Sequence, residues 1–208
     1  MALADAIIGQ VDRALRALAG VHRAERPNPA ADTASAAMAP EQGRHSAGLM
    51  RVNHTGEICA QALYYGQSVT ARNPEVRHSL EAAAAEEADH LAWCEQRLTE
   101  LDSRPSVLNP VFYGLSYAMG AATGLLGDRI SLGFVEATED QVCRHLDRHL
   151  EALPEDDQRS RRIVEHMRED EARHGTDALA RGGAPFPRPA KRAMSLLSRV
   201  MTETTYRV

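Results

Sequence analysis

The sequence predicts an all-α fold in which two helical hairpins, joined by an apolar crossover helix, form a four-helix bundle with an amphipathic helix added at either end. Three observations lead there. Ala, Leu, Glu and Arg are abundant whereas aromatic residues are only 4% of the chain, so helix is favoured wherever packing leaves the choice open. Turn signals are widely spaced, at Asn73-Pro74, Arg104-Pro105, Gly127, Leu153-Pro154 and Gly182-Gly183, with long uninterrupted segments between them. A glutamate followed by an E-x-x-H pair occurs twice, 30 and 32 residues apart, as two copies of one hairpin would produce.

Taken in order, the elements begin with a short amphipathic helix within residues 1–23. Leu3, Ile7, Val11, Leu15 and Leu18 recur at spacings of three and four, so one apolar stripe is expected to dock on the domain or on a membrane surface. With acidic residues among the apolar ones and no basic leading region, the stretch is not expected to be a signal peptide. Residues 24–44 are rich in Ala, Pro and small polar residues without a hydrophobic period, and read as a flexible linker. Residues 45–208 are expected to hold the bundle domain.

The first hairpin runs through Glu57 to the turn at Asn73-Pro74 and returns through Glu87 and His90. Ser106 to Gly127 then gives 22 residues without a formal charge. Length alone permits a membrane span, but a span here would put Glu57 and Glu139 on opposite sides of the bilayer. The stretch is better read as the crossover, since 22 helical residues cover about 33 Å. The second hairpin carries Glu139 before Leu153-Pro154 and Glu171 and His174 after it. In the tail, Arg188, Lys191, Arg192 and Arg199 interleave with Met194, Leu196, Leu197, Val200 and Met201, a basic amphipathic segment suited to anionic lipid.

Charge and cysteine usage narrow the function. A net charge of −5 offers no general electrostatic reason to bind nucleic acid. Cys59, Cys94 and Cys143 are an odd number without C-x-x-C spacing, which argues against a disulfide framework or a zinc knuckle and reads as small buried hydrophobes.

The repeated glutamates and histidines carry the chemistry. At i and i+3 the two side chains of each E-x-x-H pair leave one helical face, so one helix can offer a carboxylate and an imidazole to one centre. Ligands on antiparallel helices share a level only if they lie equally far from the turn. Glu57 is 16 residues before Asn73 and Glu87 is 13 after Pro74, roughly 24 and 20 Å along the helices. The second hairpin agrees, with 15 residues from Glu139 to Pro154 and 17 on to Glu171. Four carboxylates converging in an apolar core would take up protons unless cations were present. Glu57, Glu87, His90, Glu139, Glu171 and His174 together match the ligand set of ferritin-like di-metal carboxylate bundles. Hard oxygen ligands with one imidazole per metal suit two Fe(II) or Mn(II) ions, and iron is preferred for its redox chemistry with dioxygen.

Neighbouring residues are graded beside these six. Glu136, one turn before Glu139, competes with it. Glu86 and Asp170 adjoin the paired glutamates and are expected to face elsewhere. His54, three positions before Glu57, reads as a core or supporting histidine rather than a third imidazole ligand. His145 is a candidate supporting or proton-transfer group.

The strings Arg51-Val-Asn-His-Thr-Gly-Glu57, Glu86-Glu-Ala-Asp-His90, FVEATEDQV around Glu139 and Asp170-Glu-Ala-Arg-His174 resemble the demethoxyubiquinol hydroxylases of ubiquinone biosynthesis, over about residues 45–208. The resemblance implies an O2-dependent di-iron monooxygenase that places one oxygen atom on a polyprenylated methoxy-benzoquinol ring. By position it assigns Glu57 and His90 to one iron, Glu139 and His174 to the other, and bridging roles to Glu87 and Glu171. It also implies a peripheral enzyme on the cytoplasmic face of the cell membrane, with room for protein partners from ubiquinone biosynthesis.

No G-x-G-x-x-G fingerprint is present to hold a nicotinamide or flavin. An external reductant, or the quinol itself, is therefore expected to supply electrons. The rival readings are a ferritin- or rubrerythrin-like iron-oxidising or iron-storage protein, which explains neither the crossover nor the basic tail, and a non-catalytic helical adaptor.

Overall fold

The structure is a computed structural model that describes residues 2–22 and 24–208, apart from the side chains at positions 2, 3, 6 and 7. The Leu3 and Ile7 positions of the N-terminal stripe thus lie outside the described side chains. Among the described residues there are seven helices and no strand: α1 (Ala2–Leu18), α2 (Pro40–Thr70), α3 (Pro74–Glu100), α4 (Asn109–Leu125), α5 (Asp128–Ala152), α6 (Gln158–Ala180) and α7 (Arg188–Thr205). The pairs α2/α3 and α5/α6 are the two hairpins, and α4 connects them.

The turn signals act through ordinary end chemistry. Asn73 accepts a hydrogen bond from the Glu75 amide at 2.9 Å while Pro74 opens α3, where its missing N–H costs nothing. Asp157 caps α6 by accepting from the Ser160 amide at 3.0 Å. Gly127 has a φ of 111°, a conformation that L side chains rarely adopt, and there the chain turns from α4 into α5.

Two apolar layers enclose a polar one. Along α3 the order is Val76 and Leu80, then Glu87 and His90, then Trp93 and Leu98. Along α6 it reverses, from Ile163 and Met167 through Glu171 and His174 to Ala178. On α5, Leu132 and Val135 precede Glu139 and Leu146 follows it. Helix α2 passes from Leu49 and Met50 through Glu57 to Tyr64. The acidic layer is therefore shielded from both ends of the bundle.

Helix α4 lies along α2 at very close range. A Cβ on Gly66 would come 2.2 Å from the Tyr117 carbonyl oxygen, and one on Gly120 would come 2.2 Å from that of Leu63. Gly120 and Gly124 thus lie on its packing face, while Val111, Leu115 and Leu125 are exposed on the other. No helix among the described residues is long and apolar enough to cross a membrane.

The flanking segments hold further findings. Helix α1 packs with Ala14 and Ala17 against Ile58, Leu91 and Tyr113, and leaves Ile8, Val11 and Leu15 exposed. Where a flexible linker is expected, the chain is tied down. Arg26 donates to Asp89 at 2.5 Å and to Asp170 at 2.7 Å, Asn28 donates to Gln96 at 2.9 Å, and Ala30 is fully buried. These are long-range contacts that composition does not register, and from Pro40 onward the segment already belongs to α2. Helix α7 is held near its start by Lys191, which donates to Glu136 and Asp140, and just beyond its end by Tyr206 and His45, whose hydroxyl and Nδ1 lie 2.6 Å apart. Leu196, Leu197 and Val200 stay exposed on it. Cys94 is buried, Cys59 and Cys143 are half-buried, and all three are free.

Candidate metal centre

Every helix of the two hairpins contributes to one buried cluster. Glu57 comes from α2, Glu87 and His90 from α3, Glu139 from α5, and Glu171 and His174 from α6, and none is more than 7% exposed. Donor atoms of Glu57, Glu87, His90 and Glu171 all lie within 4.8 Å of one another. His90 Nδ1 is 3.0 Å from Glu87, 3.2 Å from Glu171 and 3.4 Å from Glu57. His174 Nδ1 is 3.2 Å from Glu171 and 3.5 Å from Glu87. Glu87 and Glu171 therefore sit between the two imidazoles, with Glu57 to the His90 side. Glu139 lies outside that closest group: its Oε1 accepts a 2.5 Å hydrogen bond from the Tyr64 hydroxyl, and a Cβ on Gly175, next to His174, would come 3.4 Å from its own Cβ.

The outer nitrogens are held in a reciprocal pattern. His90 Nε2 meets the Asp170 carboxylate at 3.0 Å, and His174 Nε2 meets the Glu86 carboxylate at 3.2 Å. Each hairpin thus supplies the carboxylate behind the other hairpin's histidine, and each Nδ1 is left facing the glutamates. Such outer carboxylates fix the tautomer and ring orientation of metal-binding histidines. Glu86 and Asp170, expected to face away from the site, in fact support it, because the residue before each paired glutamate projects towards the neighbouring helix. Arg173 donates to both of them, at 2.9 and 2.6 Å.

Electrostatics favour cations here. Burial, together with repulsion from Glu171 and Glu57, pushes Glu87 well above the ordinary carboxylate range. Burial and Glu171 likewise push Glu139 up. For Glu171 burial is outweighed by the neighbouring imidazoles of His174 and His90, which bring it down to about 2. Behind them, Asp170 is held well below the usual range, since His90, Arg173 and Arg26 overcome its burial. Glu87 Oε1, Glu139 Oε2 and Glu171 Oε1 are buried without a hydrogen-bond partner. Three orphaned carboxylate oxygens in one buried cluster are costly without cations, and divalent ions could satisfy them. The donor set fits a metal pair.

Other candidates separate cleanly. Glu136 is drawn to Lys191 at 2.9 Å and leaves the position to Glu139. His54 is turned away, towards Asn109 and the His22 ring. His145 makes no described hydrogen bond to the six, but it lines both a cavity of about 40 Å³ beside Glu57 and a cleft of about 1170 Å³ between α5 and α7. The two spaces also share Val52, Gln141, Ser198 and Thr202, so the cleft leads towards the cluster. Sequence reading missed Tyr64, Arg26 and Arg173. Only the doubled acidic pairs, Glu86-Glu87 and Asp170-Glu171, carry a visible signal for part of this outer layer.

Fold and site define a class: a ferritin-like helical bundle with a buried Glu/His cluster compatible with metal binding. The chain belongs to the family described as Ubiquinone biosynthesis protein COQ7, which matches residues 44–205. It is 60% identical over 205 residues to a protein of Ectopseudomonas mendocina named 3-demethoxyubiquinol 3-hydroxylase, covering 98% of this chain and 95% of that one. Proteins of the same name from Pseudomonas aeruginosa and Azotobacter vinelandii are each 59% identical over the same shares. The similarity reaches beyond residues 45–208, into the N-terminal helix and the segment after it.

Proposed function

We propose that the chain is a di-iron monooxygenase that hydroxylates demethoxyubiquinol, a lipid quinol, in ubiquinone biosynthesis. One observation carries this reading: a Glu/His cluster with orphaned carboxylate oxygens lies in a chain about 60% identical, over nearly all its length, to named 3-demethoxyubiquinol 3-hydroxylases. Glu57 and His90 would hold one iron and Glu139 and His174 the other. The position of Glu87 and Glu171 between both imidazoles supports a bridging role for them. Bound there, an iron pair supplies the two-electron chemistry with dioxygen that ring hydroxylation requires.

The protein's own groups prepare the site. Asp170 and Glu86 hold the imidazoles in register, Tyr64 orients Glu139, and the apolar layers exclude water. The quinol head would enter from the α5/α7 cleft past His145, whose imidazole is kept neutral because burial, aided by Arg148, lowers it to about 4. A neutral imidazole there can accept a hydrogen bond from a ring hydroxyl and so orient the ring. Reducing electrons would come from an external donor or the quinol itself. The exposed apolar faces of α1, α4 and α7, beside Arg192 and Arg199, suit attachment to the surface of an anionic membrane by its cytoplasmic face, where the prenyl tail can stay in lipid.

Incubating the reduced, iron-loaded protein with demethoxyubiquinol and labelled O2 should yield ring-hydroxylated product carrying the label. Oxidation of iron without ring oxygenation would instead favour the ferritin-like reading.

A further inference from the structure

Outside the cluster, a second group of metal-type donors lies where the N-terminal segment meets the first hairpin. His22 follows α1, His54 lies on α2 and Glu95 on α3, and one donor atom from each lies within 4.8 Å of the others. His54 is 2% exposed and the His22 side chain 3%. Both Nε2 atoms are buried without a hydrogen-bond partner. The nearest Glu95 oxygen is 4.0 Å from His22 Nε2, too far for a hydrogen bond. Packing alone leaves two polar atoms unsatisfied, a cost that native cores avoid.

Glu95 is brought to this place by the backbone. Gly20 has a φ of +69°, and a Cβ on it would come 2.3 Å from Glu95 Oε1. The carboxylate therefore lies against the chain two residues before His22. Burial lowers both imidazoles, to about 3 for His54, so each is neutral and able to act as a ligand.

The other side of His54 is also suitable. Its Nδ1 is 3.3 Å from the Asn109 amide nitrogen, while the Asn109 oxygen accepts from Thr55 at 2.8 Å. The two ends of an amide are interchangeable in shape. Turned over, Asn109 would accept the Nδ1 proton and donate to the Thr55 hydroxyl, leaving a lone pair on Nε2. That is the arrangement by which outer hydrogen bonds set the tautomer of a metal-binding histidine.

We propose that His22, His54 and Glu95 form a mononuclear site for a borderline divalent cation, zinc(II) foremost, separate from the Glu/His cluster. Two neutral imidazoles and one carboxylate are an established zinc donor set, with water in the fourth position. Glu95, whose side chain is 32% exposed, leaves room for that water. Tetrahedral zinc places its ligands about 3.3 Å apart, and the three donor atoms already lie within 4.8 Å of one another, so they need close by no more than about 1.5 Å. The ion would staple the chain after α1 to α2 and α3, four residues before Arg26, which reaches Asp89 and Asp170 behind the cluster.

The test uses the full-length protein with its cluster already loaded with iron. Titrating zinc(II) against a chromophoric chelator, with iron content followed in parallel, should show about one zinc taken up without loss of iron. His22→Asn and Glu95→Gln should each weaken that uptake by more than about tenfold while retaining iron. Glu95 is partly exposed and His22 lies in the chain between α1 and α2, which spares the test from the misfolding that a substitution of His54, inside α2, risks. Zinc-edge X-ray absorption on the unaltered protein should show two imidazoles and no thiolate. Unchanged uptake in both variants, displacement of iron by zinc, or a zinc with a single imidazole would overturn the proposal.

Discussion

Replacing Asp170 by asparagine keeps the side chain's shape and removes the charge behind His90. Asp170 accepts from His90 Nε2 at 3.0 Å, from Arg26 at 2.7 Å and from Arg173 at 2.6 Å. Arg173 is 47% exposed, so its pair is screened and worth under about 1 kcal/mol. Arg26 is 32% exposed and keeps its second partner, Asp89. The fold should therefore lose about 1–2 kcal/mol in all, too little to unfold it. The larger effect falls on metal. An imidazole without its outer carboxylate is a weaker and less oriented ligand, and such losses cost about 10–100-fold in metal affinity, or about 1.4–2.7 kcal/mol.

Glu86→Gln makes the mirror experiment behind His174. In competition with an iron(II) chelator, Asp170→Asn should weaken the metal next to His90 and Glu86→Gln the one next to His174, each leaving a tighter second equivalent. Folded variants whose two iron affinities both stay within about twofold of the unaltered protein would refute the supporting role of these carboxylates.

Other consequences are open to measurement. Glu87→Ala or Glu171→Ala should cost both metals rather than one, because each carboxylate lies between the imidazoles; metal analysis of the folded variants reads this directly. Gly120→Ala drives a Cβ to 2.2 Å from the Leu63 carbonyl oxygen, and should cost about 1–3 kcal/mol of thermal stability as α4 is forced off α2. Burial, with Arg148, lowers His145 to about 4, and burial, with His145 and Arg148, lowers His149 to about 2, against 6.5 for both in the unfolded chain. A histidine depressed in the folded state contributes stability that is complete above pH 6.5 and lost as pH falls, about 2 kcal/mol each by pH 5. His149→Asn should accordingly flatten the drop in urea midpoint between pH 7 and 5. Leu115→Asp and Leu196→Asp should reduce co-sedimentation with anionic vesicles while leaving metal content unchanged.

The helices and their ends were legible because they rest on local chemistry. Asn73 before Pro74, Gly127 at positive φ and the twice-used E-x-x-H spacing act within one or two turns of chain, where order along the sequence is also order in space. Even the level matching of the ligands is local, since it depends only on helical rise and the place of each turn. The rest depended on neighbours far away along the chain. Ala, Pro and small polar residues in 24–44 look mobile until Arg26 finds Asp89 and Asp170. The spacing of Val11, Leu15 and Leu18 does not reveal that α1 turns its alanines inward and its larger apolar residues outward.

The six ligand candidates are thus what the sequence by itself determined most firmly: residue type and spacing alone assembled them, because a helix converts sequence spacing into direction. Only the tertiary structure decided what stands behind and beside them. Asp170 behind His90, Glu86 behind His174, Tyr64 on Glu139 and His54 turned away to His22 and Glu95 all depend on how separate segments approach, and a period in the sequence shows which face is buried but not which residue it meets.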